Sequence, residues 1–154
     1  SHTASMRIDY AEDMPTVFVK GDIFATPGLR AYAHGCNCAG TMDSGIAVAF
    51  RKRWPQMFEE YQARCNKREL RMGDVFVWSE GDQVVYNLAI QENGKKPSKV
   101  PALMAALAKV VQLATAAGIE RVGFPRIAVS RGGLDRMLYL LGLHARDVRE
   151  VLGR

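Results

Sequence analysis

Residues 33 to 50 read Ala33-His-Gly-Cys-Asn-Cys-Ala-Gly-Thr-Met-Asp-Ser-Gly-Ile-Ala-Val-Ala-Phe50. A strand end breaks there into a loop of small residues and restarts as a helix. Backbone N–H groups in such a loop, joined by the unsatisfied N–H groups that open the helix at Gly45, Ile46 and Ala47, can converge on a diphosphate without any cationic side chain. A second stretch of the same kind, Pro125-Arg-Ile-Ala-Val-Ser-Arg-Gly-Gly-Leu-Asp-Arg136, passes two glycines and enters another helix. Asp135 is its candidate for acid–base chemistry. A carboxylate at a helix N-terminus stays ionised and can orient a water or polarise a hydroxyl. It would also cap the helix, and the two roles are compatible. Asp22, in Lys20-Gly-Asp-Ile23, follows an early strand, where it can accept from an exocyclic amine or cap the next turn. Asn37 can donate and accept through one amide, which suits a pair of sugar hydroxyls; equally, it can hold its own turn.

Other reactive side chains point elsewhere. The cysteines are three in number, with Cys36 and Cys38 too close for an ordinary bridge and Cys65 far along the chain. That pattern suits a reducing compartment. His34, Cys36 and Cys38 do not have the spacing of a four-ligand structural zinc site, and no metal or cofactor is expected. The net charge of +5 favours anionic partners. Its densest runs are Arg51 to Arg53, Arg64 to Arg71, and Lys95, Lys96 and Lys99; such runs are most often solvated faces.

The elements that must position these residues alternate in type. Thr16 to Lys20, Arg30 to His34, Asp74 to Trp78, Gln83 to Leu88 and Glu120 to Phe124 read as strands by branched and aromatic content, and Met6 to Tyr10 as a weaker one. One helix is predicted from a Ser44 cap to about Trp54. Pro55 starts or interrupts there, with Met57, Phe58 and Tyr61 on one face. Another helix begins near Pro101 and ends before Gly118. A last one runs from Leu134 or Asp135 past Leu138, Leu141, Val148 and Val151. The alternation predicts a three-layer α/β/α sandwich around a mixed, largely parallel sheet, with ligands at the carboxyl ends of its strands. The 154 residues fit a single domain over 6–154, with 1–5 expected to be a tag remnant. No apolar run approaches a membrane span of roughly 20 residues, and a cytoplasmic protein is expected.

Together these motifs resemble the macrodomains, modules that bind ADP-ribose. The resemblance rests on Gly21-Asp22-Ile23, on the loop from Asn37 to Ala47, and on Gly133-Leu134-Asp135, and it spans roughly Val17 to Val151. It implies an adenine contact for Asp22 and Ile23 and a distal-ribose contact for Asn37. Met42, Ser44, Gly45, Ile46 and Ala47 would line one side of the ligand, and Ile127, Ser130, Arg131, Gly132, Gly133 and Leu134 the other. The ending at Asp135 is most similar to terminal ADP-ribose protein glycohydrolases and to antitoxins that strip ADP-ribose from DNA. In those branches a lysine after the middle strand is the nucleophile. Here Gln91 stands in its place, and an amide nitrogen cannot serve. Lys95 and Lys96 follow in the next loop.

Asp43, Ala128 and Ser130 also replace glycines of the two loops, and no terminal strand is evident after the last helix. His34 to Gly40, with Arg53-Trp-Pro, Tyr61 and Cys65, is similar to macrodomains that hydrolyse ADP-ribose 1''-phosphate without a lysine. The expectation is therefore hydrolysis of an ADP-ribose derivative by water, with Asp135 assisting and Asn37 holding the ribose. Its substrate would be modified protein, nucleic acid or metabolite, and its partner a cognate ADP-ribosyltransferase. A non-catalytic ADP-ribose reader is the alternative, and a general nucleic-acid binder the third class.

Overall fold

The computed structural model describes residues 16–125 and 148–152. Six strands form one sheet: β1 (Thr16–Lys20), β2 (Ala31–Asn37), β3 (Val75–Glu80), β4 (Gln83–Gln91), β5 (Val122–Pro125) and β6 (Val148–Leu152). Their order is β1-β6-β5-β2-β4-β3. All neighbours run parallel except β3, which returns antiparallel to β4 through a tight turn. Three helices, α1 (Ile46–Arg53), α2 (Pro55–Asn66) and α3 (Val100–Ala116), complete the described elements, with a short 3-10 turn at Ile23–Ala25.

Layering follows from alternation along the strands. Ala31, Ala33, Tyr86, Leu88 and Ile90 face Leu103, Ala106, Leu107 and Val110 of α3. The intervening Tyr32, Cys36, Val85 and Ala89 face Phe50, Trp54, Met57 and Tyr61 of α1 and α2. Helices on both faces bury most of β2 and β4, which is why those strands read as largely apolar runs. This is the predicted three-layer α/β/α sandwich with its mixed, largely parallel sheet.

Two expectations are corrected. Spacing places Val148 and Val151 in the last helix, yet Val148–Leu152 is a strand, paired with β1 on one side and β5 on the other. Parallel neighbours satisfy its backbone on both edges, and two valines in five residues suit a strand. The terminal strand that the sequence does not reveal is thus present. The first helix is capped by position at Gly45, not Ser44, with no side-chain bond to its first turn. The weaker strand at Met6 to Tyr10 and most of the predicted last helix lie outside the described residues. No described helix is long and apolar enough to cross a membrane.

Candidate functional site

A cleft of about 790 Å³ opens at the carboxyl ends of β2 and β4. Its walls are the β2–α1 loop from Thr41 to Ala47 and, opposite, Gln91, Asn93, Gly94 and Lys95; Gly35 to Asn37 form its floor. Strand pairing shifts between Cys36 and Asn37, so Asn37 sits opposite Gln91 rather than Ile90. A bulge of this kind re-aims the side chains at a strand end.

Asn37 holds the loop together. Its Oδ1 accepts from the backbone N–H groups of Ala39, Gly40 and Thr41 at 2.9, 3.1 and 3.3 Å. Its Nδ2 donates to the Thr41 carbonyl at 3.1 Å and lies 2.8 Å from the Thr41 hydroxyl. Beneath it the Tyr61 hydroxyl, from α2, donates to the Asn37 carbonyl at 2.7 Å and lies 2.9 Å from Oδ1. Gln62 secures the other side by donating to the Gly40 carbonyl at 3.1 Å. Both functions of the Asn37 amide are therefore engaged within the loop, as the turn-holding reading expects. Tyr61 and Gln62 were not among the expected site residues. The signal was there: a hydroxyl on an otherwise apolar helix stripe needs a buried partner.

The loop then reaches α1 through Gly45, whose φ of 59° and ψ of −146° leave only glycine comfortable. α1 has no side-chain cap, and its first residues, Ile46 and Ala47, line the cleft with Gly45. A Cβ at Gly45 would meet nothing within 4 Å. Gly45→Ala would thus strain the backbone alone, and the exposed loop can relax by rotating the peptide that aims the Ile46 N–H. We expect about a tenfold loss of ADP-ribose affinity in titration calorimetry, with the melting temperature lowered by only a few degrees.

The remaining expected residues are placed as follows. Met42 is buried under the loop and borders the cleft, while Ser44 and Ile46 are exposed at its mouth and Ala47 is half-buried. Asp43 turns toward Arg51, with 2.9 Å between them, so its charge is paired. Asp22 is exposed at the end of β1, and its carboxylate accepts from the Phe24 N–H at 2.9 Å, capping the 3-10 turn. Ile23 is buried in the core. Both stand on the same rim as the cleft, four strands from β4. Gln91, which by the resemblance stands where related glycohydrolases carry a lysine, donates to the Lys96 carbonyl at 2.7 Å and ties down the next loop. Ile127, Ser130, Arg131, Gly132, Gly133, Leu134 and Asp135 lie outside the described residues. Pro125, from which that segment departs, ends β5 beside β2.

Below the cleft, His34 is fully buried, stacked on Phe50 at 3.8 Å with Nε2 placed 2.6 Å from Asn87 Oδ1. Burial pulls its pKa down to about 4, against a smaller upward pull from Asn87. The folded value lies below the unfolded one, so the unfolded chain binds the extra proton first. Stability is intact above about pH 6.5 and is lost as pH falls to about 4, by about 2 to 3 kcal/mol. Urea midpoints across that window should fall in the wild type and stay flatter in His34→Gln.

Burial likewise pushes all three thiols up, Cys65 to about 11 and Cys36 well above the usual range. None offers a thiolate at neutral pH.

Comparison with known proteins accords with this geometry. The Macro domain model matches residues 33–137. The DNA ADP-ribosyl glycohydrolase of Mycobacterium tuberculosis is 31% identical over 110 residues, 69% of this chain and 31% of that protein. An ADP-ribose 1''-phosphate phosphatase of Candida albicans is 39% identical over 70 residues, 43% of this chain and 44% of that protein. The chain thus spans less than half the length of these curated relatives. Among solved structures, the macrodomain of Thermus aquaticus DarG superposes with a TM-score of 0.75 at 19% identity, covering 89% of this chain and 97% of that one. Thermosipho africanus DarTG in complex with ADP-ribose gives 0.70 at 21% identity, covering 89% and 41%. With the family model matching well over half of the residues and the same sandwich in both structures, the chain belongs to the Macro domain family.

Proposed function

We propose that this chain binds ADP-ribose in the cleft and hydrolyses an ADP-ribose derivative, with water as nucleophile and Asp135 assisting. The observation that carries the reading is the cleft itself. An uncapped helix terminus behind a left-handed glycine stands beside an Asn37-locked loop, on the rim where β1 and β5 also end. Such a terminus suits a diphosphate, and the rim suits an extended dinucleotide-like ligand. The relatives' names add weight, one being a glycohydrolase and the other a phosphatase. Removal of ADP-ribose from protein or nucleic acid, or hydrolysis of the 1''-phosphate, are the reactions this reading admits. A cognate ADP-ribosyltransferase is the partner it implies. Gln91 favours one second reading, a reader that binds without turnover, because its amide is engaged with Lys96 and cannot attack an anomeric carbon.

Thermal stabilisation by ADP-ribose, run beside a turnover panel of ADP-ribosylated protein, ADP-ribosylated DNA and ADP-ribose 1''-phosphate, tests both. At one hundred times the dissociation constant the ligand should add about 2.7 kcal/mol of stability. Stabilisation with release from one substrate supports the hydrolase, and stabilisation without release leaves the reader. No stabilisation at all sinks both.

A further inference from the structure

We propose that Lys95 is a specificity-determining residue, recognising a phosphate carried on or beside the anomeric carbon of the bound ADP-ribose. This rests on the ADP-ribose reading above and goes beyond it by naming what the far end of the cleft selects.

The loop after β4 carries Lys95, Lys96 and Lys99, and the structure separates them. Lys96 and Lys99 both turn to Glu92, at 3.7 and 3.5 Å. Lys95 lines the cleft. The loop that presents it is held at several points: Gln91 donates to the Lys96 carbonyl at 2.7 Å, the Lys95 N–H donates to Asn93 Oδ1 at 2.9 Å, and the Lys99 N–H donates to the Ile90 carbonyl at 2.9 Å. It also packs close to the floor, since a Cβ at Gly94 would stand 3.8 Å from Asn37 Nδ2. Gln91 is thus a positioning residue for Lys95.

Charge makes the same point. Among the described residues lining the cleft, the charged ones are Asp43 and Lys95, and Asp43 is paired with Arg51. Among the described residues no carboxylate pairs with Lys95, and a cation at one end of a cleft favours an anion there.

Strand order says which end of the ligand that is. Taking adenine at the Asp22 end of β1, as the resemblance implies, and the diphosphate against α1 beside β2, the strand order carries the distal ribose toward β4, whose following loop brings Lys95 to the cleft. A cation there meets the group joined to the ribose. It therefore favours a phosphate over a neutral or ester-linked side chain. That phosphate can be the 1''-phosphate of a metabolite or a phosphodiester of a nucleic acid strand; the chemistry at Lys95 is the same.

The test is calorimetric titration with ADP-ribose, ADP-ribose 1''-phosphate and an ADP-ribosylated single-stranded oligonucleotide. The Asp135→Asn background keeps ligands intact, and Lys95→Met is compared with Lys96→Met. The parent should prefer a phosphate-bearing ligand to ADP-ribose, and Lys95→Met should shrink that preference by about 5- to 10-fold. Added salt should erode it in the parent but not in Lys95→Met. Loss for the 1''-phosphate points to the metabolite, and loss for the oligonucleotide alone points to nucleic acid; either supports the role. A preference undiminished in Lys95→Met, equally diminished in Lys96→Met, or absent from the parent overturns it while ADP-ribose still binds. Failure of ADP-ribose itself to bind the unaltered protein overturns the underlying reading as well.

Discussion

Asp135→Ala is expected to lower turnover of the preferred substrate by about 100-fold or more, the usual contribution of a positioned general acid or base. Elimination within the cleft supports a loss of that size. Of the described titratable side chains that line it, Cys36 is buried with its thiol pushed up, Asp43 is paired with Arg51 at 2.9 Å, and Lys95 is a cation. His34 is sealed below the floor, and Gln91 carries an amide. Asp22 caps its own turn at the far end of the rim. The two carboxylates, Asp43 drawn to Arg51 and Asp22 at the far rim, are each held by a partner of their own, and the rest are not bases at neutral pH, so no described residue is placed to substitute for Asp135. Steady-state rates on the active member of the substrate panel, with ADP-ribose thermal shifts run in parallel, check this directly. Asp43→Asn is the companion variant, expected to change kcat by no more than about twofold because its charge is exposed and already paired. An Asp135→Ala protein that kept wild-type turnover would refute the water mechanism as assigned.

The sequence made the site legible where chemistry depends on the backbone. A glycine between Ser44 and Ile46, after a run of small residues, can be read as a turn into a helix terminus without coordinates, and φ at Gly45 agrees. Strands buried on both faces were recognisable from branched runs, though β2 and β4 each extend three residues beyond the expected ends. Those extra residues carry Asn37 and Gln91 to the rim. In β2, Gly35 interrupts the branched and aromatic run while the paired backbone continues, and in β4 the apolar run itself continues through Ile90. The error at Val148 has another origin, because Val148, Val151 and Leu152 stand at the i, i+3, i+4 spacing of a helix and the pairing with β1 and β5 overrides it. Tyr61 shows the limit on the site. Its place on the core face of α2 was evident, but the hydroxyl's partner is 24 residues away on β2, a relation no local pattern encodes. The direction of Lys95 against Lys96 is of that kind too. Neighbouring lysines in a polar loop look alike until Glu92 claims one of them.

Asn37→Ala should be the most damaging single change in the loop, lowering stability by about 4 kcal/mol and abolishing measurable ADP-ribose binding. Truncation removes the acceptor for the Ala39, Gly40 and Thr41 N–H groups and the donor to the Thr41 carbonyl at once. Ala39 is exposed and its N–H finds water, but Gly40 is buried and its N–H would be stranded. Each buried polar group left without a partner costs about 1 to 3 kcal/mol, which sets the total. Asn37→Asp separates holding the loop from touching the ribose. A carboxylate keeps the acceptor facing three N–H groups and can take the Thr41 hydroxyl as donor, so the fold should survive with a smaller loss. What it adds is a negative charge on the floor of the cleft proposed to take a diphosphate, facing the Thr41 carbonyl where an N–H used to point. If Asn37 acts by shaping the loop, Asn37→Asp melts near the wild type yet binds ADP-ribose at least about tenfold more weakly. If it acts chiefly by accepting from ribose hydroxyls, the carboxylate is the better acceptor and affinity holds. Chemical denaturation and ADP-ribose titration of the two variants, side by side, distinguish these outcomes. The first is expected, because both ends of the Asn37 amide already have partners inside the loop.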